Sequence, residues 1–172
     1  MRILLFFDQT QAGAGGKERP NVELAVEKGG IGSYHMFEKF IKEAGGTVLA
    51  TMYCGNGYFF DNEEEVKRKI VALTTKLKAD VVICGPCFNY ADYAHMSAII
   101  AQAIEAGSDS KAIVVCSEEN AHVIESFKDS VTIVKMPKKG GIGLNDSLIN
   151  MIKVAKAKVE GQAKETYQEY TY

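Results

Sequence analysis

The stretch Asp80-Val81-Val82-Ile83-Cys84-Gly85-Pro86-Cys87-Phe88-Asn89-Tyr90 decides the fold. Its first half is an unbroken apolar run, the pattern of a strand covered on both faces rather than one with a wet side. Gly85-Pro86 then interrupts any regular element, and a helical pattern resumes over Tyr93–Ala106. Strand, loop, helix is the repeating unit of a parallel α/β sheet, and the same unit recurs in both directions along the chain.

Upstream, Arg2–Phe7 reads as the first strand, followed by a glycine-rich connection from Asp8 to about Gly32. Ser33–Ala44 reads as a helix with Ser33 as N-cap and Phe37, Phe40 and Ile41 on one face. Gly45-Gly46 stops it, and Thr47–Tyr53 is the second strand. The span Asp61–Lys78 carries the helical stripe Val66, Ile70, Leu73 and Leu77, with Glu63–Glu65 suiting the positive end of a helix. Downstream, Lys111–Cys116 is the fourth strand, and a short helix near Asn120–Phe127 leads to a fifth, Val131–Val134. Asp146–Val159 closes the pattern as an amphipathic helix. These elements predict one three-layer α/β domain over residues 1–160. Its five-stranded, mostly parallel sheet would be flavodoxin-like or Rossmann-like, with right-handed crossovers. The polar tail, residues 161–172 with three tyrosines, is expected to be mobile or to pack on a partner.

With 172 residues, 47% hydrophobic and 24% charged, the chain has the balance of an ordinary globular domain. A formal charge of −2 offers no field for nucleic acid or an anionic membrane surface. The opening apolar run is too short for a signal peptide, and no stretch is long enough to span a bilayer, so a cytoplasmic location is expected. In that compartment the four cysteines are expected as thiols.

Ligands of open α/β sheets bind beyond the carboxyl ends of the strands, where loops and helix N-termini converge. The unusual residues gather there: Gln9–Lys17 after the first strand, Cys54–Phe60 after the second, Cys84–Tyr90 after the third, Ser117–Asn120 after the fourth and Lys138–Gly143 after the fifth. The first loop is no phosphate-binding P-loop, since Gln11 takes the first glycine position and Glu18 the Ser/Thr position. Nor is it a dinucleotide fingerprint, because Gly13-Ala14-Gly15 lacks the third glycine. His35, His95 and His122 form no spaced ligand pair, so neither a metal nor another cofactor is expected. Cys84-Gly85-Pro86-Cys87 matches the thioredoxin redox tetrapeptide, yet Cys84 ends an apolar strand and the helix starts a turn too late to activate it. Cys54, between a strand end and Gly55, is the better setting for an exposed thiol, with Cys87 facing the same pocket as a second sulfur and Cys116 packing as an apolar residue.

At these loops the chain resembles component B of glycine, sarcosine and betaine reductases. Cys54-Gly55-Asn56-Gly57-Tyr58-Phe59 is similar to the family's C-G-D-N-Y-F, and Gly85-Pro86-Cys87-Phe88-Asn89-Tyr90-Ala91-Asp92-Tyr93 to its G-P-A-F-N-A-G-R-Y-G. The likeness covers about residues 2–160. It implies a small amine or amino-acid-like substrate, captured by this domain and reductively deaminated with a thiol or selenol. The family's selenocysteine lies in a second domain, so a protein partner carrying a redox-active cysteine or selenocysteine is expected, and with it a homo- or hetero-oligomer. Departures are Cys87 for the alanine, Asp92 for the arginine, and His95-Met96-Ser97 where the family continues with small residues and a cysteine. Exchanging a cation for Asp92 should alter which charges the loop accepts.

The candidate catalytic residues are therefore Cys54 and Cys87. The candidate substrate-binding residues are Gln9, Gly13, Gly15, Gly16, Gly55, Asn56, Tyr58, Phe59, Pro86, Phe88, Asn89, Tyr93, His95 and Glu119. Two other readings stay open: a self-sufficient thiol–disulfide oxidoreductase using Cys84 and Cys87, and a non-catalytic small-ligand module.

Overall fold

A computed structural model describes all of residues 1–172. The strands are β1 (Arg2–Asp8), β2 (Ala25–Lys28), β3 (Thr47–Cys54), β4 (Val81–Cys84), β5 (Lys111–Ser117) and β6 (Ile133–Met136). The helices are α1 (Glu38–Glu43), α2 (Asn56–Asp61), α3 (Glu63–Lys76), α4 (Ala91–Gly107), α5 (Ala121–Phe127) and α6 (Leu144–Val159). The sheet runs β2-β3-β1-β4-β5-β6. Five of its strands are parallel in the flavodoxin-like order, and β2 adds an antiparallel edge against β3.

The apolar runs account for this arrangement. Ile3 to Phe7 of β1 and all four residues of β4 have no exposed surface, as the centre of a sheet covered on both faces requires. Burying Phe6 and Phe7 contributes roughly 2–3 kcal/mol each. α1 packs beside α6 on one face, and α3, α4 and α5 lie side by side on the other. α3 turns Val66, Ile70 and Thr74 inward and holds its outer face with Lys67–Glu64 and Lys69–Glu65 ion pairs. No helix is long and apolar enough to cross a membrane.

Several local expectations are corrected. The sheet has six strands, because Ala25–Lys28, inside the long first connection, pairs with Tyr53 to Ala50 of β3. Ser33 does not cap a helix; it sits in a 3-10 turn, Gly32–Met36, and its hydroxyl donates to Gln11 Oε1 instead. The segment after β3 is not a loop but the short helix α2, and α3 begins only at Glu63. The last strand falls at Ile133–Met136 rather than Val131–Val134. The tail packs on its own chain: Tyr167 is buried, Thr171 bridges to Val134, and the Tyr172 hydroxyl donates to the Cys116 carbonyl at 3.2 Å. That bridge covers the β6 edge, leaving β2 as the open one.

Candidate functional site

β1 connects to β3 on one side of itself, and the chain then returns to β4 on the other. Between the carboxyl ends of β1 and β4 the crossovers diverge, which opens a crevice at the switch point of the sheet. A cleft of about 410 Å³ lies there, lined by Asp8, Gln9, Thr10, Lys17, Pro20, Asn56 and the segment Asn89–Tyr93.

Asp8 ends β1 and is only 4% exposed. Burial raises its pKa, partly countered by the backbone N–H groups of Gln11, which donates to Oδ1 at 2.7 Å, and of Thr10. Gln9 is also buried and braces the wall: its Oε1 accepts from the Asn56 amide and its Nε2 donates to the Gly16 carbonyl, each at 3.4 Å. The Asn56 end of α2 is pressed against the first loop through Gly55. Gly55 N donates to Val22 O at 2.8 Å, and a Cβ on Gly55 would lie 2.0 Å from the Pro20 carbonyl oxygen.

On the far wall α4 begins at Ala91, with Tyr90 as its cap and no side-chain cap bond. The Ala94 N–H is the first to bond backward, to Tyr90 O at 2.9 Å. The amides of Ala91, Asp92 and Tyr93 are thus the unpaired donors of the helix start, and all three residues line the cleft. Lys17 Nζ stands 5.3 Å from the centre of the Tyr90 ring at the rim. The cleft therefore offers a desolvated carboxylate at its head, a helix N-terminus on one wall and a movable cation above, a set suited to a small zwitterion.

The sulfur atoms lie elsewhere. Cys54 was expected as an exposed loop thiol; it is the last residue of β3, has no exposed surface, and its Sγ is 3.9 Å from Met96 Sδ. Burial first, and then the charge of Asp8, push its thiol up to about 12. Cys87 was expected to face the cleft; it is fully buried, with Sγ 3.4 Å from Ser97 Oγ and 3.8 Å from the Cys84 carbonyl, and burial holds its thiol well above the ordinary range. Cys84 is buried within β4 and likewise raised. Burial pushes Cys116 up to about 12. All four are free thiols in the hydrophobic core. The helix after Cys87 starts at Ala91, so no N-terminus activates the Cys84-Gly85-Pro86-Cys87 segment.

Of the other expected residues, Gln9, Asn56 and Asn89 line the cleft. Tyr93 borders it from beneath, its phenol turned into the core to donate to Phe6 O at 2.7 Å. Gly13, Gly15 and Gly16 shape the turn that delivers Lys17, without lining the cleft themselves. Gly55 acts through the contact described above. Tyr58 and Phe59 point away, with Phe59 in the core and Tyr58 half-buried against it. Pro86 is buried behind a cis peptide. Phe88 opens on a neighbouring cavity. His95 is exposed on α4 between Phe60, 5.3 Å away, and Phe127, 5.8 Å away, outside the cleft. Glu119 is a brace, accepting from Ser117 Oγ and the Lys139 amide, both at 3.0 Å. Sequence reasoning missed Asp8, Pro20 and Ala91 as lining residues, while Thr10, Lys17 and Tyr90 fall in loops it assigned to the site without singling them out. A usable signal was the one charged residue closing the apolar run of β1. No group of His, Cys, Asp and Glu side chains converges as a metal site.

Fold and cleft together define a doubly wound α/β protein with a polar site at its switch point. Across its whole length, residues 1–172, the chain belongs to the family described as glycine/sarcosine/betaine reductase selenoprotein B. It is 32% identical over 104 residues to the glycine reductase complex component B subunit gamma of Symbiobacterium thermophilum, covering 60% of this chain and 24% of that one. It is 22% identical over 162 residues to the sarcosine reductase complex component B subunit beta of Peptoclostridium acidaminophilum, covering 94% and 36%. A glycine reductase complex component B subunit gamma of Carboxydothermus hydrogenoformans is 26% identical over 150 residues, covering 87% and 34%. The chain thus spans about a third or less of the length of these relatives. No solved structure matches.

Proposed function

We propose that this chain is the substrate-holding α/β portion of a cytoplasmic reductase complex related to glycine/sarcosine/betaine reductase component B. It would take a small amine or amino-acid-like substrate into the switch-point cleft. The observation that carries this reading is the buried Asp8 carboxylate facing a cleft whose opposite wall is the unpaired start of α4. The substrate ammonium sits on Asp8, which recovers on binding the ion partner that burial denied it. The substrate carboxylate sits on the Ala91–Tyr93 amides, with Lys17 closing over it. Reductive removal of an amino group needs an electron pair that this chain is poorly equipped to supply, because its four thiols are buried and their pKa values raised. A partner chain carrying a redox-active cysteine or selenocysteine supplies it, meeting the substrate at the open mouth of the cleft.

The test is calorimetric titration of the intact chain with glycine, sarcosine and betaine. One or more should bind, and Asp8→Asn should weaken binding at least about tenfold, the worth of one charge-assisted contact. Equal binding of acetate, which has no ammonium, would sink the assignment. Addition of the partner subunit should then be required for turnover.

A further inference from the structure

A second cavity, also about 410 Å³, lies beyond Asn89 and Tyr90, which it shares with the cleft as a common wall. It opens between the loop after β4 and the segment that carries β6 into α6. Phe88, Met136, Pro137 and Leu144 give it apolar sides. Two donors serve its polar side. Gln11 is nine-tenths buried; its Oε1 is taken by the Ser33 hydroxyl, while its Nε2 has no hydrogen-bond partner in the protein. Lys139, at the rim, makes no ion pair of its own. The neighbouring acids are already occupied: Glu118 pairs with Lys138 at 3.1 Å, and Glu119 accepts from Ser117 and the Lys139 backbone.

We propose that this cavity binds a small organic oxyanion with an apolar body, an aryl or short-chain carboxylate or phosphate. A free amide donor and an unpaired ammonium face the anion, and the apolar sides desolvate the body, which strengthens both contacts. A cationic ligand finds no free carboxylate there. Its two donor residues, Gln11 and Lys139, are not among those lining the first cleft.

The test is a backbone amide NMR titration of the full chain with benzoate, phenyl phosphate, inorganic phosphate and benzylamine. Benzoate or phenyl phosphate should move the Gly140 and Gly141 signals, and the tighter of the two identifies the oxyanion as carboxylate or phosphate. Lys139→Met, at an exposed residue whose loss leaves packing intact, should weaken that binding about tenfold. Gln11→Glu, nearly isosteric and replacing the donor by a negative charge, should weaken it as much. Benzylamine binding as tightly, inorganic phosphate matching phenyl phosphate, or indifference to both Lys139→Met and Gln11→Glu would each overturn the proposal.

Discussion

Asp8 and Cys54 stand opposite one another in register at the ends of neighbouring parallel strands, yet they live in different chemical worlds. Asp8 opens on the cleft, steadied by the loop amides of Thr10 and Gln11. Cys54 lies beside it, fully covered, with the Met96 thioether as its polar neighbour and a thiol pushed up to about 12. The difference is access to the cleft, which Asp8 lines and Cys54 does not. At the cleft wall a carboxylate can be kept and used; away from it, the same strand ends use sulfur as a small apolar filler. Chemistry at this site therefore follows from exposure rather than from which reactive letters a loop contains.

The sharpest way to break that comparison is thiol reactivity. At pH 7 the native protein should react with a disulfide reagent at least about a thousandfold more slowly than free cysteine, because thiolate is scarce and access is blocked. All four thiols should react once the chain is unfolded. Rapid native labelling of Cys54 would erase the distinction and restore it as a candidate nucleophile.

Next in size is Gly55→Ala. Its Cβ would strike the Pro20 carbonyl at 2.0 Å and the Val22 nitrogen at 2.8 Å, both backbone atoms that cannot turn aside. A loss of about 2–3 kcal/mol in denaturant unfolding is expected, together with weaker ligand binding as the Pro20 wall shifts. Unchanged stability would mean that the wall is soft.

Asp8→Asn sharpens the cleft side. Burial raises the Asp8 pKa, so the folded state holds this proton more tightly than the unfolded chain. The stability conferred by the proton is complete below the ordinary value of 3.8 and is lost as pH rises through the raised one. Above that window the ionised group is a cost, which Asn removes while its Oδ1 can still accept from Gln11. Asp8→Asn should stabilise the protein by about 1 kcal/mol at neutral pH, with the gain vanishing in acid. A variant that is less stable at pH 7 would show that the loop amides outweigh desolvation.

The smallest effect belongs to the tail. Tyr172→Phe removes one hydrogen bond to Cys116 O and should cost about 1 kcal/mol, while ligand binding at the cleft stays unchanged.

What was legible in the sequence follows from local rules. Unbroken apolar runs at residues 3–7 and 81–84, bounded by turn signals, read as central strands, glycine pairs end helices, and loops at strand ends gather unusual residues. Those rules reached the α/β class and, with the loop motifs, the family, while the flavodoxin-like order that they suggested is fixed only by the strand pairing. β2 was not legible, because Ala25-Val26-Glu27-Lys28 is short and polar and becomes a strand only when the β3 edge offers it hydrogen bonds. Nor was the fate of the tail, where Thr171 and Tyr172 find partners more than thirty residues away in β6 and β5. The thiols are the clearest case. Cys54, Cys84 and Cys87 carry the letters of redox chemistry, but a thiol ionises only where water or a charge can reach it. That is decided by α4 and its Met96 and Ser97 closing over the strand ends, a contact between residues some ten to forty positions apart that no local pattern specifies.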